Sequence, residues 1–146
     1  MSNAPEPVGL GASSEVPENI STEQLWQTLL IKIPQPNLFL PVHDVKSRPS
    51  DDGLGTYREM TMNFPSGPQT IVENIYSDKS ILEIKFASAN ENYEIVNVIH
   101  VDADTGKRTL EFYKRNSTTK QREHWAVPKA NATASFEKMY DYAVTL

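Results

Sequence analysis

The sequence predicts an α+β domain in which one antiparallel sheet has its apolar side covered by helix. Three observations carry this reading. A strongly capped helix ends at Pro34, a long middle stretch alternates with period two between turn-rich breaks, and the C-terminus returns to helical spacing. At 146 residues the chain is long enough to bury a core without disulfides or a structural metal.

Residues 1–19 are rich in Pro, Gly and Ser and read as a flexible segment with at most one weak strand, between Val8 and Val16. The folded domain is expected over residues 20–146. Its first element is a helix from Ile20 to Ile33. Ser21 can cap it, Gln24 completes a capping box, and Ile20 with Leu25 forms a hydrophobic staple. Leu25, Trp26, Leu29, Leu30 and Ile33 make an apolar stripe. Lys32 sits in the last turn, where a cation suits the helix dipole. Pro34 and Pro36 stop the helix, and Asn37 to Leu40 form a short apolar plug ended by Pro41.

From Val42 onward the period is two. Turn signals centred on Pro49–Gly53, Pro65–Pro68, Ser77–Ser80, Ser88–Asn92 and Asp104–Lys107 separate strands expected near 42–48, 56–64, 70–77, 81–87, 93–101 and 108–115. The final helix carries Ala132, Phe136, Met139, Tyr140 and Ala143 on one side and is expected to start between Asn131 and Ser135.

Folding each hairpin about the middle of its turn gives an expected register. Met62 would oppose Ile71, Met60 would oppose Glu73 and Arg58 would oppose Ile75. Next, Ile75 would face Leu82 and Glu73 would face Ile84, while Ile84 would face Ile95 and Asn97 would face Phe112. One face would then carry Met60, Met62, Phe64, Ile71, Ile75, Leu82, Ile84, Phe86, Tyr93, Ile95, Ile99, Leu110 and Phe112. The other would be mostly polar, with Tyr57, Val72, Val96 and Val98 as exceptions. Three polar residues intrude on the apolar face: Arg58, Glu73 and Asn97. Arg58 and Glu73 would be diagonal neighbours, within reach of a charge-assisted pair.

Composition excludes several function classes. No cysteine is present, so disulfides, thiolate zinc sites and a cysteine nucleophile are ruled out. That fits a reducing compartment, and a cytoplasmic location is expected. The net charge is -5, and basic residues gather only around Lys114, Arg115, Lys120 and Arg122, which disfavours nucleic acid. No apolar run approaches the about 20 residues that span a bilayer, and the N-terminus lacks the pattern of a secretory signal. Sequons at Asn19, Asn116 and Asn131 read as chance matches without one. His43, His100 and His124 show no metal-ligand spacing, and no nucleophile-elbow pattern occurs. Neither a metal nor a cofactor is expected.

The helix and plug carry a family resemblance. Ser21-Thr22-Glu23-Gln24-Leu25-Trp26, followed by Leu29, Lys32, Pro36, Phe39 and Pro41, resembles the T-x-x-Q-L-W-x-x-L…K…P…F-x-P opening of the AtaL-like family. That family is a domain-of-unknown-function group in the START/Bet v 1-like (SRPBCC) superfamily. Tyr57-Arg58-Glu59 resembles its T-R-E strand, Glu73 its V-x-E strand and Asn97 its N-x-I strand. Asp104 to Leu110 resembles its acidic-Gly turn, so the likeness covers about residues 20–115. The resemblance implies a helix-grip fold: a seven-stranded curved antiparallel sheet wrapped on a C-terminal helix, with two short helices after the first strand. It also implies an apolar ligand cavity, fungal relatives, some within secondary-metabolite gene clusters, and relatives that include cyclases and dehydratases.

The expected function is cofactor-independent cyclase, isomerase or dehydratase chemistry on a polyketide-like or aromatic substrate, with a non-catalytic carrier as the alternative. Glu73 would be the general base, while Arg58 would hold an anionic oxygen and Asn97 would stabilise an enolate. Trp26, Phe39, Met60, Met62, Ile75, Ile84, Tyr93, Phe112, Trp125 and Tyr140 are candidate ligand contacts. The competing reading makes Arg58–Glu73 a structural ion pair that sets strand register in a filled core. The expected partner is a hydrophobic or aromatic small molecule, not nucleic acid or membrane, and a homodimer is compatible with the sequence.

Overall fold

The structure, a computed structural model, describes residues 11–125 and 129–146, with side chains described for 11–125 and 131–146. The expectations for residues 1–10, including the start of the weak strand at Val8, lie outside the described residues. Strands β1 (Ala12–Glu15), β2 (Val42–Pro49), β3 (Thr56–Phe64), β4 (Gly67–Asp78), β5 (Glu83–Ser88), β6 (Tyr93–Val101) and β7 (Arg108–Asn116) form one antiparallel sheet. Its order is β1-β7-β6-β5-β4-β3-β2. Helix α1 (Thr22–Lys32) follows β1, and helix α2 (Lys129–Ala143) ends the fold. This is a helix-grip architecture: a meander curled around a C-terminal helix.

Local chemistry accounts for α1. Gln24 N–H donates to Ser21 Oγ at 3.0 Å while Ser21 N–H donates to Gln24 Oε1 at 2.8 Å, which completes the capping box. Ile20 and Leu25 are both buried, as a staple requires. The plug is a single 3-10 turn, Pro36–Leu38, that buries Phe39. Two arginines of the sheet grip α1. Arg108 on β7 donates to Thr22 Oγ1 at 3.2 Å and to the Pro17 carbonyl at 3.3 Å. Arg58 on β3 donates to the carbonyls of Lys32 and Ile33, each at 3.0 Å. The second contact set satisfies carbonyls that a helix C-terminus leaves without partners.

The observed register corrects three of the four expected hairpins. Arg58 lies directly opposite Glu73, and Met60 opposite Ile71. The β3–β4 turn is therefore centred between Pro65 and Ser66, one position earlier than its composition implied. Ile75 pairs with Phe86 and Ser77 with Ile84. The β4–β5 connection is longer than expected because Lys79–Ile81 forms a 3-10 turn and Leu82 takes a left-handed φ of 53°, so β5 starts at Glu83 rather than Ile81. Ile84 pairs with Asn97. In β6–β7, Asn97 opposes Phe112 and Ile99 opposes Leu110, as expected. Every correction is an even number of residues, so each side chain keeps its expected face.

The inner face meets both helices in one core. It joins Leu25, Trp26, Leu29, Phe39, Ile75, Ile84, Phe86, Ile99, Leu110 and Phe112 with Ala132, Phe136, Met139 and Ala143 of α2. Burying each large side chain contributes roughly 1.5–3 kcal/mol. The C-terminal helix begins at Lys129, earlier than its apolar spacing suggested, and of its apolar stripe Ala132, Phe136, Met139 and Ala143 are buried while Tyr140 is partly so. On the outer face, Val96, Val98 and Tyr113 form a second small cluster, which explains why two valines broke the polar pattern there.

Candidate functional site

The most unusual feature of the inner face is a buried polar cluster made by α1, β3, β4 and β6. Arg58 is 1% exposed. It stands on β3, where alternation turns it inward between Tyr57 and Glu59. Its Nη2 donates to Glu73 Oε1 at 2.8 Å, and both side chains are nearly inaccessible. The contact uses one carboxylate oxygen, while Nη1 is taken by the end of α1. Arg58 Nε is buried with no hydrogen-bond partner.

Lys32 completes the cluster, and sequence reasoning missed it. Expected only as a cation suited to the dipole of a helix end, it is 5% exposed. Its Nζ donates to Asn97 Oδ1 at 2.8 Å and lies 4.4 Å from the centre of the Phe112 ring and 5.5 Å from that of Phe86. Arg58 Cζ lies 5.3 Å from the same Phe86 ring. Burial, then the neighbouring Arg58 charge, lower the Lys32 pKa from 10.5 to about 7, with Glu73 opposing the shift. The signal was present in the sequence. Position 32 follows Leu25 by seven residues and Leu29 by three, which places it on the buried stripe.

The three expected catalytic residues are therefore brought together, each with a prior commitment. Glu73 pairs with Arg58, Asn97 accepts from Lys32, and Arg58 holds the helix end. The expected wall residues divide. Trp26, Phe39, Ile75, Ile84 and Phe112 are buried in the main core, with Trp125 and Tyr140 partly buried against it. Met60 is buried outside that cluster, and Met62 is half-buried opposite Gln69 near the β3–β4 turn. Tyr93 is half-buried under Lys114 Nζ, 4.5 Å from its ring centre. Burial raises the Tyr93 pKa.

A cleft of about 380 Å³ opens between β1 and α2, lined by Ala12, Ser14, Ala132, Thr133, Phe136 and Tyr140 among others. Gly11 borders it. A β-carbon there would lie 2.2 Å from the Phe112 carbonyl oxygen, so only glycine lets the chain approach β7. Tyr140 donates to Ser14 Oγ at 3.0 Å. Stacked rings run from the cluster to the cleft: Phe112, beside Lys32, lies on Phe136 at 4.7 Å, and Phe136 on Tyr140 at 6.4 Å, the last two lining the cleft.

The three histidines do not join the cluster. His100 is exposed on the outer face, 2.9 Å from Glu111, and His43 and His124 are exposed. Among the described residues, no group of His, Asp and Glu is placed to hold a metal ion. No helix is long and apolar enough to cross a membrane among them.

No protein-family model matches the chain, and no curated protein does. Solved structures do. The protein TTHA0849 from Thermus thermophilus superposes with a TM-score of 0.62 at 12% identity, covering 93% of this chain and 97% of that one. The Zhui aromatase/cyclase from Streptomyces sp. R1128 gives 0.61 at 9% identity, covering 92% of each chain. The di-domain aromatase/cyclase StfQ of the steffimycin biosynthetic pathway gives 0.60 at 9% identity; 92% of this chain matches 50% of that one, so this chain spans about half its length. At these identities the likeness establishes the helix-grip fold.

Proposed function

We propose that the chain is a cofactor-independent enzyme of secondary metabolism that performs cyclase-, isomerase- or dehydratase-type proton transfer on a polyketide-like or aromatic substrate. The observation that carries this reading is the Lys32–Arg58–Glu73–Asn97 cluster, buried on the inner face of a fold shared with aromatase/cyclases. A core needing only shape would fill this space with apolar side chains at little or no loss of stability. Here it holds donors without acceptors. Arg58 Nε has no partner, and Lys32, with three N–H groups when charged, makes one hydrogen bond.

Those donors suit the oxygen of a carbonyl that becomes an enolate. In this reading Glu73 takes a proton from carbon beside that carbonyl, using the oxygen not engaged by Arg58. Lys32 and the Arg58 Nε group stabilise the developing charge, and Asn97 orients Lys32. Resemblance to the AtaL-like sequences at Trp26, Phe39 and Arg58 supports the same class of substrate.

A thermal-shift screen with aromatic polyketides and simpler naphthols tests binding, and Glu73→Gln tests chemistry. The expected result is that ligands raise Tm in both proteins while turnover is lost only in the variant. Ligand stabilisation with no turnover in wild type selects the carrier alternative. No ligand shift overturns the reading.

A further inference from the structure

Lys32 offers more than hydrogen bonds. Lys32 and Arg58 lie close enough to feel one another's charge, the carboxylate of Glu73 pairs with Arg58 alone, and Phe86 and Phe112 wall the site. This is the arrangement that leaves an amine neutral, because burial and a neighbouring positive charge both oppose protonation.

We propose that Lys32 is an amine nucleophile that condenses with a ketone or aldehyde carbonyl, most fittingly of a β-keto compound, to form a Schiff base. The proposal rests on the reading that a substrate carbonyl meets this cluster, and it names the atom that attacks it. The Nζ lone pair forms the C–N bond as the carbonyl π pair moves to oxygen. A proton passes from nitrogen to that oxygen, giving a carbinolamine. The C–O bond then breaks, and the oxygen leaves as water. Counted from the ammonium, R–NH3⁺ plus a carbonyl gives the iminium plus one water, with no net proton, oxidant or reductant. Hydrolysis reverses it.

The geometry favours each stage. A neutral Lys32 that donates to Asn97 Oδ1 at 2.8 Å keeps its lone pair free of that contact. The partnerless Arg58 Nε–H supplies a donor for the departing oxygen. The iminium acidifies the adjacent C–H, which gives Glu73 a weaker bond to break. A pKa of about 7 leaves roughly half the amine neutral at neutral pH. Phe112, 4.4 Å from this amine, stacks at 4.7 Å on Phe136, which lines the cleft, so this pair of rings offers the route between the two. Trimming Phe136 is expected to open it.

Acetylacetone is the probe, since a 1,3-diketone gives a stable enaminone with an amine and loses one water. The full chain is treated near neutral pH and adducts are mapped by peptide mass. Lys32 is expected to react at least about tenfold faster than exposed Lys79, with a rate that follows one ionisation near pH 7. Phe136→Ala should accelerate the reaction at Lys32, and Lys32→Met, checked for a cooperative melt, should lose the fast adduct. Adducts confined to exposed lysines in both wild type and Phe136→Ala overturn the proposal. If aromatic ketones still raise Tm in that case, the amine role fails while the proposed function stands; if an adduct forms at Lys32 without any ligand shift, the amine role stands and the binding reading fails.

Discussion

Both faces of the sheet bury charge, but they balance it differently. On the outer face Glu94 is 2% exposed and accepts from Arg115 Nε at 2.8 Å and Lys120 Nζ at 2.9 Å. Arg115 also reaches Glu83 at 3.2 Å. Glu111 accepts from Arg122 at 2.6 Å and pairs with His100 at 2.9 Å, while Arg122 covers the Tyr113 ring at 3.9 Å. Burial pushes Glu94 up, yet the hydrogen bonds from Lys120 and Arg115 win and hold it below the ordinary carboxylate range. Glu111 follows the same pattern with Arg122 and His100. Three carboxylates there meet three strong cations. On the inner face, two cations of the Lys32 cluster meet one carboxylate, and a guanidinium N–H is orphaned. A balanced network stabilises a fold, whereas an unbalanced buried one is retained against a cost, which marks it as a functional candidate.

The comparison breaks most visibly at Glu73. Glu73→Gln leaves Arg58 and Lys32 buried together without a counter-ion, and a loss of about 3–5 kcal/mol is expected in urea unfolding. Adding Arg58→Met should recover much of that loss. A single variant as stable as wild type would show that the pair is not the cluster's counter-charge.

Lys32→Met sharpens the same contrast through pH. Folding lowers the Lys32 pKa from 10.5 to about 7, with Arg58 and Glu73 the charged groups that set it after burial. Between those values the unfolded chain binds more protons, so wild-type stability rises with pH by about 1.4 kcal/mol per unit. The penalty is complete below about pH 7. The methionine variant should lack this slope and be the more stable protein in acid. Parallel stability curves for the two proteins would sink the charge assignment.

The outer face should show the opposite sign. A lowered carboxylate contributes stability above its unfolded pKa of about 4.3 and loses it as pH falls through the folded value. Glu94→Gln is expected to cost roughly 1–3 kcal/mol at neutral pH, with the gap to wild type closing in acid. A gap that persists unchanged in acid would assign its cost to packing. Smallest of all is Lys79→Ala. Its pair with Glu23 is 61% and 57% exposed, so chemical denaturation should move by no more than about 0.5 kcal/mol.

The faces of the sheet were legible because period-two alternation survives any even slip in register, and all three slips were even. Loop length was not legible. Nothing in Ser77-Asp78-Lys79-Ser80 announced that Lys79–Ile81 would coil and add residues before β5. Arg58, Glu73 and Asn97 were found because they break an apolar pattern. Lys32 was hidden because a lysine in a last helical turn already has an adequate explanation in the dipole. Only its spacing from Leu25 and Leu29 argued otherwise, together with the need of a buried Asn97 for a donor. Val96 and Val98 on the outer face were visible as exceptions, but their partner Tyr113 and the cations around it come from β7 and the segment after it.

The imbalance of the inner face is read most directly at the Lys32 amine itself. An NMR titration of its side-chain resonances, assigned by their loss in Lys32→Met, should give a midpoint near 7. A midpoint at the ordinary 10.5 would mean that the amine stays charged at neutral pH, and the inner face would offer neither an unbalanced cluster nor a nucleophilic amine for carbonyl chemistry.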